Sequence, residues 1–219
     1  TFTNITANSN SQSGVYFDYG VNNTFINLTA NLNSLYGINF YAESDNNTIN
    51  SSYIENNSVY GLYFQAFTGN PEYNLIFNNY LNNTVNYYNN TELTNYFNTT
   101  KITGTSIIGG PNIGGNYWAE PDGTGFSETC NDTNEDGVCD TSYSLDGSNY
   151  DYLPLTYFQV VPSISYAGGT EANNTDIKVN WIYINVSVID TNKNETRFYL
   201  YNSLLELVNN TNYTDGTTF

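Results

Sequence analysis

The residues of this chain best spaced for chemistry run Asp132-Thr133-Asn134-Glu135-Asp136-Gly137-Val138-Cys139-Asp140. Read as D-x-N-x-D-G-x-x-D, this is the opening of an EF-hand-type calcium loop, in which alternate residues present oxygen and a glycine makes the sharp turn. Asp132, Asn134 and Asp136 would supply positions 1, 3 and 5, the Val138 carbonyl position 7, and Asp140 position 9, directly or through water. Position 12 is Tyr143 rather than Glu, so the bidentate ligand is missing and a later acid, Asp146, is the candidate to complete the sphere. Nine of the 21 acids fall between Glu120 and Asp151 with no Lys or Arg among them. Carboxylates at that density repel one another unless a cation binds. All-oxygen donors on a flexible loop favour Ca2+ over Mg2+. The alternative is a solvated acidic loop.

Cys130 and Cys139, the only cysteines, bracket this loop. In an exported protein such a pair reads as a disulfide. Closing about ten residues contributes roughly 2.5–3 kcal/mol in the chain-entropy treatment. Two buried free thiols are the cytosolic alternative. Fifteen Asn-X-Ser/Thr sequons point to export: Asn4, Asn22, Asn27, Asn46, Asn50, Asn56, Asn82, Asn89, Asn98, Asn131, Asn173, Asn185, Asn194, Asn209 and Asn212. Each is an N-glycan acceptor in a secreted chain, although a chain rich in Asn, Ser and Thr also makes sequons by chance.

Catalytic chemistry finds little support. The chain has no His, and residues 1–160 hold no Arg and only Lys101. Lys101 is therefore the one candidate there for the Arg or Lys base that a lyase of this type uses beside calcium carboxylates. A hydrolase needs paired carboxylates on one face, and Asp18, Glu43, Asp45, Glu55, Glu72 and Glu92 share no repeat position that would pair them. The chain is expected not to be an enzyme. With 21 acids against 4 bases it repels phosphate backbones, which excludes nucleic acid. No stretch of about 18 apolar residues exists to span a membrane.

What must position the acidic loop is a repeat. Of 219 residues 40 are Asn and only 11% are charged, while 22 Tyr and 12 Phe supply apolar surface. That composition favours sheet over coil. Segments beginning at Phe2, Phe25, Ile49 and Ile76 align. Asn23, Asn47 and Asn74 precede the last three by two places, and Asn4, Asn27, Ser51 and Asn78 follow the starts by two. Gly14, Gly37 and Gly61, then Phe17, Phe40 and Phe64, recur further on, with Tyr88 and Thr91 in their places in the fourth copy. A repeat of about two dozen residues with short alternating runs predicts a β-solenoid. The Phe set would stack in its core, the Asn would form amide ladders at turns, and the Gly would sit where the chain bends.

After the coils come Gly114-Gly115-Asn116-Tyr117-Trp118, the acidic loop and Asp151-Tyr152-Leu153-Pro154-Leu155. Over residues 1–156 this order resembles the NosD-like right-handed parallel β-helix repeats of archaeal cell-surface proteins, and the ordered end piece is its most specific part. The resemblance implies an all-β fold with coils over 1–108 and an end piece over 109–156. The family is named for a periplasmic protein linked to copper delivery. Copper requires His, Met or thiolate, and this chain has no His, no Met and two Cys, so that role does not carry over. The loop itself resembles thrombospondin type 3 and dockerin-like calcium loops, where later acids complete the sphere. Disulfide and ion together would lock the open end of the coil.

From 157 to 219 the pattern changes. Ser163–Tyr166, Trp181–Asp190 and Thr196–Tyr201 alternate as strands and resemble the opening strands of an immunoglobulin-like β-sandwich. About sixty residues hold only part of such a fold, and the chain reads as a piece of a longer protein. The expected function is structural: a component of an extracellular filament, sheath or S-layer-like assembly that associates with itself or with other surface proteins. The alternative is an adhesin or carbohydrate-binding protein whose Tyr16, Tyr41 and Tyr63 point outward.

Overall fold

A computed structural model of the chain describes residues 1–90, 94–158, 163–166, 168, 186–189, 195–201, 204 and 206–214. It divides into two compact units, Thr1–Gln159 and Val160–Phe219.

Unit 1 is a parallel β-helix. Its coil strands are β1 (Phe2–Thr6), β2 (Val15–Asp18), β3 (Thr24–Asn31), β4 (Tyr36–Tyr41), β5 (Thr48–Asn50), β6 (Tyr53–Glu55), β7 (Tyr60–Gln65), β8 (Leu75–Phe77), β9 (Tyr80–Asn82) and β10 (Tyr87–Asn89). Strands one repeat apart pair in parallel: β1 on β3, β3 on β5 and β6, these on β8 and β9, and separately β2-β4-β7-β10. The starts align as the repeat predicts, with Phe2 opposite Phe25, Phe25 opposite Ile49 and Ile49 opposite Ile76. A two-residue alternation explains why. Phe25, Leu28 and Ala30 of β3 are buried, as are Ile38 and Phe40 of β4 and Leu62 and Phe64 of β7. A register slip by one residue would expose the whole set.

The phenylalanine stack is present. Phe40 lies 4.9 Å from Phe17 and 4.5 Å from Phe64, ring on ring. The corners are also as the residue types suggest. Asn4, Asn27, Ser51 and Asn78 take φ of 58°, 57°, 51° and 54°, a left-handed region that Asn tolerates better than most side chains.

Two expectations are corrected. Gly14 sits at a bend before β2 as expected, but Gly37 and Gly61 lie inside β4 and β7. A Cβ at Gly37 would come within 2.8 Å of Asn57 Nδ2, and one at Gly61 within 2.6 Å of Asn83 Nδ2. They are small because an amide from the coil interior presses against the strand. In the fourth coil Tyr87 pairs with Leu62, so Asn86 rather than Tyr88 stands in the place of the Gly, and Asn89 rather than Thr91 falls opposite Phe64. Thr91 is outside the described residues. Phe97 then covers the end of the stack, edge-on to Phe64 at 6.0 Å and to Tyr87 at 5.3 Å.

The end piece contains a hairpin of β11 (Ile102–Thr103) and β12 (Asn112–Ile113), then β13 (Tyr117–Ala119), α1 (Phe126–Thr129), and a second hairpin of β14 (Tyr143–Ser144) and β15 (Tyr150–Asp151). β13 is the last rung of the coil, with Trp118 opposite Leu81. Trp118 is 1% exposed, and Phe126 and Tyr143 pack over the same core.

In unit 2, β16 (Ser163–Tyr166) pairs antiparallel with β17 (Val186–Ile189), and β18 (Glu195–Tyr201) with β19 (Leu207–Thr214). Most of the strand expected from Trp181, up to Asn185, lies outside the described residues, together with the sequons at Asn173, Asn185 and Asn194.

Candidate functional site

Inside the coil three rows of side chains run from turn to turn, and each hands its N–H groups to the coil that follows. In the first, Asn10, Asn33 and Asn57 each donate both the backbone N–H and Nδ2 to the Oδ1 of the next Asn, at 2.9–3.1 Å, ending on Asn83. Asn83 repeats the double donation to Asn86, three residues on, and Asn86 Nδ2 donates to Ala119 O. In the second, Asn23, Asn47 and Asn74 donate in the same way as far as Asn95, whose backbone N–H then reaches Asn149 Oδ1. In the third, the Ser52 N–H donates to Asn79 and Asn79 donates to Asn116. Asn116 N donates to Asp151 Oδ2 at 2.7 Å. The ladder expectation for Asn23, Asn47 and Asn74 is met, whereas the rows through Asn33 and Asn79 were not foreseen. Buried amides must be paired, and here a single residue type satisfies both its neighbours.

Two of the rows end on carboxylates. Asp151 is fully buried. Its Oδ2 accepts from Asn116 N and from Trp118 Nε1 at 2.8 Å, and its Oδ1 from Leu153 N at 3.0 Å. Burial pushes its carboxyl up to about 7, against the pull of these donors. A Cβ at Gly115 would collide with it, which accounts for the second Gly of the Gly-Gly-Asn-Tyr-Trp segment. Asp146 ends the second row. It accepts from Asn149 N at 2.7 Å and also from Tyr87 Oη and Asn89 Nδ2. Burial would raise its carboxyl, but these donors, Tyr87 foremost, hold it below the ordinary value. Asp146 thus accepts from the coil residues Tyr87 and Asn89 and from Asn149 of its own hairpin.

The Asp132–Asp140 loop curls on its own oxygens. Asp132 accepts from Asp136 N at 3.1 Å and from Gly137 N at 2.7 Å. Asn134 accepts from Asp136 N, Asp136 from Val138 N, and Asp140 from Thr133 N. Gly137 takes φ of 79°, the sharp turn foreseen for it. Lys101, from before β11, donates its ammonium to Asp136 Oδ2 at 2.6 Å. Among the described residues no three His, Cys, Asp or Glu side chains converge as a metal site. Val138 is buried and bridges antiparallel to Leu155, and Tyr143 packs against Trp118 and Phe126. Cys130 and Cys139 form the expected disulfide, with Cα atoms 5.7 Å apart.

The sequons have a structural origin that the sequence alone did not reveal. Asn22-Asn23-Thr24, Asn46-Asn47-Thr48 and Asn56-Asn57-Ser58 are coil corners. The first Asn takes left-handed φ of 57°, 55° and 54°, the second is a ladder amide, and in the first two the Thr opens a strand. Asn4, Asn27 and Asn131 are exposed, and Asn50 and Asn82 are half-buried. Asn209 and Asn212 lie in β19.

A coil of stacked parallel strands with inner amide ladders and a closed end defines the class: a β-helix protein. The scan against protein families matches residues 1–123, more than half of the chain, to the family described as periplasmic copper-binding protein (NosD). The chain belongs to this family. No curated protein and no solved structure matches it significantly. The family's name carries copper, but this chain does not fit that ion. It has no His and no Met, and among the described residues no cysteine is free. The family's description as periplasmic accords with a disulfide-permissive compartment. Among the described residues no helix is long and apolar enough to cross a membrane.

Proposed function

We propose that the chain is a non-catalytic structural component of an extracellular archaeal surface assembly, carrying an immunoglobulin-like module after its coil. One observation supports this above others: the two carboxylates that face the coil are spent on the fold. Asp146 and Asp151 both accept from backbone and side-chain donors of unit 1. What remains outside is a stiff rod faced with amides and tyrosines. Its last rung is covered by Phe126, Tyr143 and Asp151, so growth by stacking coil on coil is blocked at that end. Negative-stain microscopy over a concentration series tests this. Regular polymers or sheets are expected, and monomers at every concentration would sink the reading.

Within this role the Asp132–Asp140 loop is a calcium site in which the ion takes the place of Lys101. Asp132, Asn134, Asp136, the Val138 carbonyl and Asp140 supply its oxygens. Added Ca2+ should raise the melting midpoint of unit 1, and EDTA should reverse the rise. An unchanged midpoint in both removes the ion.

A carbohydrate-binding adhesin is the second reading. On the outer face of β2-β4-β7-β10, Asn39 lies between Tyr16 and Tyr63 in register, is 5% exposed, and its Oδ1 has no donor. Against it, Tyr60 stacks between Tyr36 at 5.6 Å and Tyr88 at 4.6 Å, which covers the ring faces a sugar would need. Binding on a glycan array that Asn39→Ala and Tyr63→Ala abolish would favour this reading.

A further inference from the structure

We propose that N-linked glycans are carried at the coil corners Asn22, Asn46 and Asn56, while Asn82, Asn89 and Asn98, which bear the same tripeptide, stay bare. The inference rests on the reading of the chain as an exported glycoprotein and narrows it to sites. In the transfer, asparagine Nδ2 forms a bond to C1 of a sugar held on a lipid phosphate. The C1–O bond to that phosphate breaks, the lipid phosphate leaves with the bonding pair, and the amide loses one proton to base. Nδ2 must therefore be reachable and free of a competing acceptor, and the linked sugar must have solvent to fill.

The three corners meet these conditions. All three residues are exposed, each at a left-handed turn of the backbone. Their hydrogen bonds are made by the main chain alone: Asn22 N to Asp45 O, Asn46 N to Glu72 O and Asn56 N to Asn82 O. The inward amide of each corner is the following Asn, which holds the ladder. A sugar on the first Asn thus leaves the ladder intact.

The other three differ in kind. Asn82 lies within β9, in register between Glu55 and Ala119, with its Oδ1 buried. Asn89 Nδ2 donates to Asp146 Oδ2 at 3.1 Å. Asn98 accepts from Tyr152 N at 3.1 Å and donates Nδ2 to Thr99 O at 3.0 Å. A sugar at Asn89 or Asn98 would part the coil from its end piece. The chosen corners have a further consequence. Asn56 precedes β7, while Asn22 and Asn46 follow β2 and β4. Their glycans border the tyrosine face on both sides and leave it open for contact.

Peptide mapping by mass spectrometry, on protein taken from its native cells, tests the assignment. Sugar masses are expected on the peptides holding Asn22, Asn46 and Asn56, with Ser58→Ala removing the last. Equal occupancy at Asn82, Asn89 or Asn98 would overturn the site assignment and leave the glycoprotein reading standing. Bare asparagine throughout the chain would overturn both.

Discussion

Asp151 meets N–H donors from Asn116, Trp118 and Leu153, and among the described residues no cation pairs with it. A carboxylate taken out of water without a counter-charge favours its neutral form. Its value rises from 3.8 to about 7. The folded chain then holds a proton that the unfolded chain releases across this window. Asp151 therefore contributes stability that is fully present below pH 3.8 and is lost as pH rises through about 7. The slope is about 1.4 kcal/mol per pH unit. Asp146 is held low, so its opposite contribution is lost only in more acid solution. Melting midpoints of the wild type should fall between pH 5 and 7, and those of Asp151→Asn should stay flat. Parallel curves for the two proteins would show that Asp151 does not set the slope. The same residue scale explains why the calcium-type motif was legible and its occupant was not. Alternate Asx oxygens and a glycine make a tight turn whether the partner is an ion or the loop's own amides, and a sequence spells only the turn.

Coil elements are held by two kinds of stack, apolar and amide, and they should fail differently. Phe40→Ala leaves a cavity between Phe17 and Phe64, at a cost of about 3–5 kcal/mol. Asn57→Ala removes no apolar core, yet it strands both N–H groups that Asn33 donates and takes one donor each from the Ala30 carbonyl and Asn83 Oδ1, the latter keeping the backbone N–H of residue 57. At about 1–3 kcal/mol per stranded buried group the two Asn33 donors alone should cost an amount comparable to the phenylalanine. Urea denaturation of both variants decides this, and a loss under 1 kcal/mol for Asn57→Ala would reduce the ladder to decoration. The apolar stack was readable because Phe17, Phe40 and Phe64 recur in one register. The row Asn23, Asn47, Asn74 was readable for the same reason. The row Ser52, Asn79, Asn116, Asp151 was not, because its members stand 27, 37 and 35 residues apart. Only the folded chain equates those intervals. The fourth coil misled for a related reason: Asn83 turns to Asn86 after three residues, and no fixed period anticipates a row that closes on itself.

At the scale of the whole molecule, unit 1 is polar along its length. The bonds from amide to amide run in one direction along every inner row, while Asn47, Asn57 and Asn79 also reach back through Nδ2 to carbonyls of the preceding coil, and the receiving end is closed by β13, α1 and the β14–β15 hairpin, with the disulfide bracing the loop between them. In a stack where each coil touches only its neighbours, stability adds coil by coil and opening starts where a neighbour is missing. β4, β7 and β9 each pair on both sides, so native-state hydrogen exchange should show their amides as the best protected of the coil. The bond between Cys130 and Cys139 closes a short loop, worth roughly 2.5–3 kcal/mol, or about a hundredfold in an equilibrium constant. In Cys130→Ser/Cys139→Ser, protection should fall by up to that factor across residues 97–155 first, while the amides of β4 keep theirs. A uniform fall through all coils would mean that unit 1 opens only as one piece. The closing end piece would then be part of a single cooperative fold rather than a separable lid on a rod.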